Sequence, residues 1–276
     1  MQKLAAAAVL SVLTASDPRD PATIGRPGAA APPDYLASLD AGALRGKRLG
    51  IARKFFGFHA GVDKLMEGAI TALRDAGAVI VDPIALELEE ELGKSEQEVL
   101  LYEFKTDIAA YLATLGPGAK ARSLDDLVRF NDENREREMP YFGQERFLAS
   151  VAKGPLTDPV YVNALETSRR LARGEGIDAA LDSDRLDAIV APTGGPAWTI
   201  DLVNGDHFMG GSSTFAAVAG YPNVTVPAGM VHGLPVGISF FGRAWSEATL
   251  IGIAYAFEQA TRHRKAPTFR ATVESL

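Results

Sequence analysis

The residues best suited to chemistry lie in the segment Gly210-Gly211-Ser212-Ser213, at a predicted junction between a loop and a helix. Glycines there let a ligand approach the backbone, and the N-terminus of a helix favours an anion or an oxyanion. Asp206 and His207 lie shortly upstream, so the residue types of a Ser/His/Asp hydrolase are all present. The alternative is a helix cap, because serine commonly accepts a hydrogen bond from the first helical amides. The pattern favours a cap or a pocket wall over a nucleophile, since triads are defined by geometry.

The other titratable candidates indicate structural roles. His59, His232 and His263 stand apart, with no carboxylate or second histidine at ligand spacing, so we expect ordinary surface or packed histidines. Lys105 lies on a predicted helix, where it can pair with acidic neighbours, and no serine is indicated beside it for catalysis. The acidic run over 87–98 alternates with leucines at helical spacing, which predicts a solvated helix face. We therefore expect neither a metal nor a cofactor.

A second candidate segment, Thr193 to Trp198, follows the most apolar predicted strand, Leu186 to Pro192. Open α/β sheets bind ligands at the carboxyl ends of their strands, and glycines, a proline and an indole can shape a pocket wall. A turn packed by Trp198 explains the same residues equally well. The candidate substrate-binding residues are Thr193, Trp198, Ser212 and Ser213.

The elements that must position these residues follow the pattern of an α/β protein. The sequence predicts a strand over Arg48–Ala52, a helix over Val62–Asp75 and a strand over Ala78–Val81, with Gly77 ending the helix. Such a βαβ unit has a right-handed crossover and joins parallel strands. We expect a mixed, largely parallel sheet flanked by helices on both faces.

The rest of the chain divides into a helical middle and a C-terminal hairpin. Residues 86–183 are predicted to be a mainly helical insertion, with a capping box beginning at Ser123 and a break at Gly176. Strands are predicted on either side of a turn at Gly233, and a closing helix runs from Glu247 to about His263.

Composition excludes several classes of function. The 276-residue chain has 28 Lys and Arg against 35 Asp and Glu, and it contains no cysteine. Disulfides, thiolate zinc sites, iron–sulfur clusters and a cysteine nucleophile are therefore excluded. The net charge of −7 argues against a nucleic-acid partner, which would require a basic surface.

The apolar run from Leu4 to Ala15 has three interpretations. The first is a secretory signal peptide over 1–16. The second is a membrane-spanning helix, for which the run is too short. The third is a buried helix whose natural beginning lies upstream. The proline-rich stretch over 17–33 predicts an extended connector.

Five separated blocks carry a pattern that extends over most of the chain: Gly154–Leu165, Leu186–Trp198, Val203–Gly229, Gly233–Glu247 and Ala254–Pro267. Val12–Thr23 and Tyr102–Leu112 fit the same pattern. In collinear order, these segments resemble the C-terminal half of amidase signature enzymes, with bacterial peptide-amidase-like members the most similar.

The resemblance implies hydrolysis of an amide C–N bond, with a small amide or peptide-amide substrate. Family members use a serine nucleophile, a second serine and a lysine, all upstream of the segment that matches Val12–Thr23. No residue of this chain matches them, and Ser212 and Ser213 align with a different, downstream segment. We therefore expect no catalytic residue in this chain and no activity from it alone. A covalent mechanism that loses its serine and lysine together loses nearly all of its rate.

The resemblance also bears on organisation. Residues 1–276 are expected to form the C-terminal portion of a single amidase domain, either truncated or half of a split enzyme, with an N-terminal amidase half as its partner. The Leu4–Ala15 run matches an internal helix of the family, which favours that interpretation over a signal peptide. We therefore expect a cytoplasmic protein with no membrane partner.

Overall fold

The computed structural model describes residues 2–20, 23–24, 33–87, 90–267 and 269. The predicted connector lies largely outside these described residues, at 21–22 and 25–32. The chain divides into two compact units. The first comprises Met1–Glu87, Arg173–Ile200 and Asp206–Leu276, and the second comprises Leu88–Ala172 and Asp201–Gly205.

The elements follow the predicted order. The helices are α1 (Gln2–Leu13), α2 (Ala60–Asp75), α3 (Glu90–Thr114), α4 (Leu124–Glu133), α5 (Arg135–Glu138), α6 (Glu145–Val151), α7 (Pro159–Arg169), α8 (Ala179–Ser183), α9 (Thr214–Ala219) and α10 (Glu247–Thr261). The strands are β1 (Arg48–Ile51), β2 (Val79–Val81), β3 (Ala188–Pro192), β4 (Asn223–Val231) and β5 (Leu234–Phe241).

The helical break predicted at Gly176 is absent. A π-helical segment, Arg170–Asp178, continues α7 and leads into α8, so the chain keeps turning through Gly176. The sequence pattern predicts a break there because glycine is a poor helix former. Burial of Ile177 with no exposed surface shows that packing overrides this local preference.

Within the described residues, the first unit is built on a five-stranded mixed sheet with the order β2-β1-β3-β5-β4. β1 pairs in parallel with both β2 and β3, as the βαβ pattern predicts. β5 pairs antiparallel with both β3 and β4. His232 and Gly233 join β4 to β5 with φ angles of 49° and 76°. Two successive positive φ angles belong to the hairpin turn whose twist matches that of the strands. The predicted mixed α/β fold is confirmed, and among the described strands two pairings are parallel and two antiparallel, so the sheet is less parallel than expected.

The sheet buries both of its faces. α2 and α10 pack on one face, where Leu49, Val190 and Phe240 belong to the main apolar core. On the opposite face, Ile189 and Phe241 are also fully buried. Alternation of side chains across the pleat explains this division, because neighbouring residues of a strand point to opposite faces.

A histidine caps α2, the helix that crosses between β1 and β2. The Nδ1 atom of His59 accepts hydrogen bonds from the backbone N–H groups of Gly61 at 3.0 Å and Val62 at 3.4 Å. These are donors that the helix itself leaves without a partner. His59 thus has a structural role, and Gly77, with φ of 95°, follows the end of the same helix.

Ion pairs hold the ends of the parallel strands. The Lys47 ammonium lies 2.8 Å from the Asp187 carboxylate, which also accepts a hydrogen bond from the Arg48 N–H at 2.8 Å. At the other end of β1, the Arg53 guanidinium pairs with Asp82 and with Glu67 of α2. The carboxylates, Asp82 first, raise the pKa of Arg53, so its charge persists at any ordinary pH.

The second unit consists of helices α3 to α7 in its described part. α3 packs against α7 and α6. The Tyr102 hydroxyl donates to Asp158 at 2.9 Å, and the Ser95 and Ser168 hydroxyls meet at 2.9 Å in a buried contact. The predicted capping box is present, since Ser123 accepts from the backbone of Asp126 and the Asp126 carboxylate accepts in return.

Lys105 adopts a role other than the expected pairing with acidic neighbours. Its ammonium donates to the carbonyl oxygens of Val151, at 2.9 Å, and Lys153, at the end of α6. The last carbonyls of a helix have no helical donor, so a lysine is a favourable partner for them. Lys105 therefore ties α3 to α6.

Close packing over Gly50 generates a prediction. A Cβ at Gly50 would lie 2.4 Å from Leu186 Cδ1 and 2.7 Å from Ile84 Cγ2, whereas a Cβ at Gly68 on α2 meets nothing within 4 Å. Gly50→Ala should lower the free energy of unfolding by about 1–3 kcal/mol. Gly68→Ala should raise it by up to about 1 kcal/mol, through helix propensity. Urea unfolding followed by circular dichroism measures both, and equal effects of the two substitutions would contradict the packing.

The buried Tyr161 generates a second prediction. Burial, and then the 2.8 Å hydrogen bond to Glu103, raise the pKa of Tyr161 to about 12. Tyrosine in an unfolded chain ionises near pH 10, so the stabilising contribution is intact below about pH 10 and is lost as the pH rises towards 12. Tyr161→Phe should flatten this loss of stability in unfolding curves at pH 9–12. Tyr141→Phe, at an exposed tyrosine, should leave it unchanged.

Candidate substrate-binding cleft

Three hydroxyl groups meet on one face of the sheet. Thr193 Oγ1 lies 2.6 Å from Thr225 Oγ1 and 2.8 Å from Ser239 Oγ. Ser239 is buried, while Thr225 is exposed, so the cluster extends from the interior to the surface. We call these three residues the hydroxyl cluster.

Strand register positions the hydroxyl cluster. Thr225 of β4 is paired directly with Ser239 of β5, so their side chains share a face. Thr193 follows the last residue of β3, and its N–H donates to the Gly237 carbonyl at 2.9 Å, which continues the ladder by one residue. A Cβ on Gly237 would lie 2.7 Å from both threonine hydroxyls. The glycine therefore provides the space that the cluster occupies.

A cleft of about 580 Å³ opens beside the hydroxyl cluster. Its lining comes from α1, from the end of β3 and from strands β4 and β5. The lining residues are Ala5, Ala6, Thr193, Thr225, Val226, Pro227, Pro235, Val236 and Gly237.

The predicted glycine–serine segment is bonded to the residues at the end of β3, next to the cleft. Gly211 forms a bridge with Gly194, which closes the loop between them. The Ser212 N–H donates to the Thr193 carbonyl at 3.4 Å, and its hydroxyl donates to the Pro192 carbonyl at 2.7 Å. Ser212 is fully buried, so its hydroxyl holds the segment against the end of β3.

Glycine is required at the start of this segment. Gly210 has φ of 145°, and a Cβ there would lie 3.0 Å from the Phe58 ring. A Cβ on Gly211 would lie 3.2 Å from the Thr193 carbonyl oxygen. The two glycines thus allow the backbone to approach the end of β3 closely, whereas the close approach of a ligand that the sequence pattern predicts stays a prediction.

Ser213 directly precedes α9, but its side chain makes no capping hydrogen bond and is exposed. The Asp206 carboxylate accepts a hydrogen bond from the Trp198 indole at 3.4 Å. His207 is exposed, and the Ser212 hydroxyl donates to a backbone carbonyl instead of to an imidazole. These residues therefore do not assemble into the relay that a Ser/His/Asp hydrolase uses.

The four predicted substrate-binding residues occupy different positions. Thr193 lines the cleft, and Ser212 is bonded directly to Thr193 and its neighbour Pro192. Trp198 is 43% exposed in the loop and packs edge-to-face on Phe208, with ring centres 6.2 Å apart. Trp198 and Ser213 are not among the lining residues. Substrate binding by all four stays a prediction.

Thr225 and Ser239 are not among the residues that the sequence pattern predicts for the site. Each stands between two apolar residues of its strand, Val224 and Val226 in one case and Ile238 and Phe240 in the other. A hydroxyl at an inner strand position is a detectable signal, because alternation places it on the face opposite the apolar core. Only strand register shows that the two are neighbours.

The cleft can bind a polar, uncharged group. A hydroxyl oxygen that donates its proton can still accept a hydrogen bond, so the cluster suits the N–H of an amide. None of the described lining residues is titratable. Across the described ranges, no group of three His, Asp or Glu side chains is arranged to hold a metal ion. No helix in those same ranges is both long enough and apolar enough to cross a membrane.

Known proteins share this fold. The chain is 47% identical to native peptide amidase from Stenotrophomonas maltophilia, with a TM-score of 0.86, over 95% of this chain and 53% of that one. It is 48% identical to a peptide amidase solved in complex with the competitive inhibitor chymostatin, with a TM-score of 0.88, over 95% of this chain and 54% of the other.

Curated relatives agree with the structural matches. The chain is 35% identical to a probable amidase of Arabidopsis thaliana, over 95% of this chain and 48% of that protein. It is 30% identical to a glutamyl-tRNA(Gln) amidotransferase subunit of Azotobacter vinelandii, over 95% of this chain and 54% of that protein. The chain thus spans about half the length of the relatives it matches. The Amidase family profile matches residues 4–251, and the chain belongs to the amidase signature family.

Proposed function

We propose that this chain acts as the C-terminal portion of a hydrolase that cleaves linear amides, including peptide amides. In this proposal, the chain supplies the scaffold and one wall of the substrate pocket. The serine and lysine chemistry of the family comes from the portion of the amidase fold that the match does not cover.

The composition of the cleft carries this proposal. Its described lining offers hydroxyls, backbone and small apolar side chains, but no group that can act as a general base. Such a lining suits binding and orientation of an uncharged amide, while proton transfer must come from elsewhere. The half-length match to the Stenotrophomonas peptide amidase supports the same division of roles.

The hydroxyl cluster is suited to orienting a substrate. Its three side chains are held by hydrogen bonds to one another, and Thr225 also donates to the Ile238 carbonyl at 3.2 Å. Hydroxyl oxygens that are already positioned as acceptors lose little conformational freedom when a ligand binds. We assign Thr193 the substrate contact, because its hydroxyl lies between the other two at the cleft wall.

The proposed partner is a complementary amidase portion. Some relatives are named as subunits of a glutamyl-tRNA(Gln) amidotransferase, so assembly with other chains is compatible with this fold. The complementary portion must contribute the nucleophile and the proton acceptor, and it must reach the cleft beside Thr193.

An assay of the chain alone and with a complementary portion tests the proposed function. The 276-residue chain should not hydrolyse peptide amides above background. Co-expression with the part of the Stenotrophomonas peptide amidase outside the match should restore hydrolysis that neither part shows alone. Turnover by the isolated chain that Ser213→Ala abolishes would contradict the proposal.

The role of Thr193 is tested in the complemented enzyme. Thr193→Val keeps the shape but removes the hydroxyl, so KM for a peptide amide should rise by about 5–30-fold, equivalent to roughly 1–2 kcal/mol. Thr71→Val on α2, where the hydroxyl bonds only to its own helix at Glu67, is the matched control and should leave KM unchanged. An unchanged KM for Thr193→Val would contradict a contact between the Thr193 hydroxyl and the substrate.

Stability measurements on the isolated chain test the hydroxyl cluster separately. Thr193→Val leaves the buried Ser239 hydroxyl without its threonine partner, which should cost about 1–3 kcal/mol of unfolding free energy. Adding Ser239→Ala should recover part of that loss, because no buried donor then remains unpaired. Strictly additive effects in this double-mutant cycle would show that the two hydroxyls are not coupled.

A further inference from the structure

We propose that the outward face of α1 is the surface on which the complementary amidase portion docks. The outward face consists of Leu4, Ala5, Val9, Val12 and Leu13. This inference rests on the proposed function and adds to it the place of contact.

The inward face of α1 is already occupied. Ala7 is fully buried in a small apolar cluster with Tyr35 and Ile251. Ser11 Oγ accepts a hydrogen bond from the Tyr35 N–H at 3.0 Å and donates to the Ala7 carbonyl at 2.8 Å. These contacts fix the helix, so its outward face has a defined orientation.

The outward face is apolar and uncovered. Leu4 is 54% exposed, Val9 56%, Val12 74% and Leu13 70%. No charged residue occurs from Leu4 to Ala15, so the helix lacks the charged face that a surface helix usually carries. A helix of this kind belongs in a protein interior, and contiguous exposed apolar surface marks an interaction site. The outward face therefore lacks the covering that its composition requires.

The position of α1 indicates the occupant. The face borders the cleft, since Ala5, which belongs to the face, lines the cleft together with Thr193. β4, which belongs to the same cleft, is an edge strand of the sheet within the described residues. A partner seated on α1 therefore lies beside the hydroxyl cluster, where the proposed function needs catalytic groups.

The length of the relatives supports the same occupant. The match to the Stenotrophomonas peptide amidase covers 53% of that protein. Nearly half of that protein thus lies outside the match. A folded portion of that size provides enough apolar surface to cover one face of a short helix.

Co-purification tests the docking surface. The chain is co-expressed with a tagged complementary portion of the Stenotrophomonas peptide amidase, and the amount retained on the tag is measured. Val9→Lys and Val12→Lys should each reduce retention about tenfold or more, because they place a charge in an apolar contact. Val160→Lys on α7, at a valine that is 53% exposed, is the matched control and should have no effect. Val12→Gln, a milder change, should give an intermediate loss.

The outcomes separate the contact from the function. Unchanged retention of all the α1 variants would contradict the proposal that the complementary portion docks on this face. An isolated chain that sediments as a dimer, and that Val12→Lys converts to a monomer, would identify a second copy as the occupant and overturn it as well. A complex that depends on α1 but hydrolyses no amide supports the docking surface and rejects the proposed function. Restored hydrolysis that is insensitive to α1 substitutions supports the proposed function and rejects the docking surface.

Discussion

The pairing of β5 between β3 and β4 is the constraint on which the rest of the structure depends. Antiparallel register places Phe240 opposite Val190 in the core and Ser239 opposite Thr225 on the other face. The same alternation thus forms the apolar core and the polar cluster. A shift of one residue would exchange the two faces, so the core energetically enforces the position of the hydroxyls.

Space around this pairing is created by glycine. Gly237 leaves room for the two threonine hydroxyls, and Gly210 and Gly211 bring the following loop against the end of β3. Ser212 then closes the arrangement with its hydrogen bond to Pro192. The chemical consequence is that a serine which resembles a nucleophile in sequence serves as a support. The hydroxyls that line the cleft instead come from β4 and from the residue that follows β3.

Local patterns predicted much of this fold. The capping box at Ser123 and the hairpin at Gly233 depend on contacts within a few residues, and the βαβ unit follows from the periodicity of three successive segments; all three are present. Gly176 shows the limit of such patterns, since burial of Ile177 keeps a helical turn that local propensity disfavours. Lys105 is a second case in which a local pattern fails, because its carbonyl partners lie 46 and 48 residues away along the chain.

The sequence by itself determined the family, the order of elements and the exclusion of cysteine chemistry, because these follow from residue identity and short-range spacing. It also placed Thr193 and Ser212 among the candidates. Only the tertiary structure decided that Thr225 and Ser239 join Thr193, that Ser212 is bonded to the backbone, and that one face of α1 is uncovered. The physical reason is that register and packing bring together residues that are distant in sequence, and no local pattern records those distances.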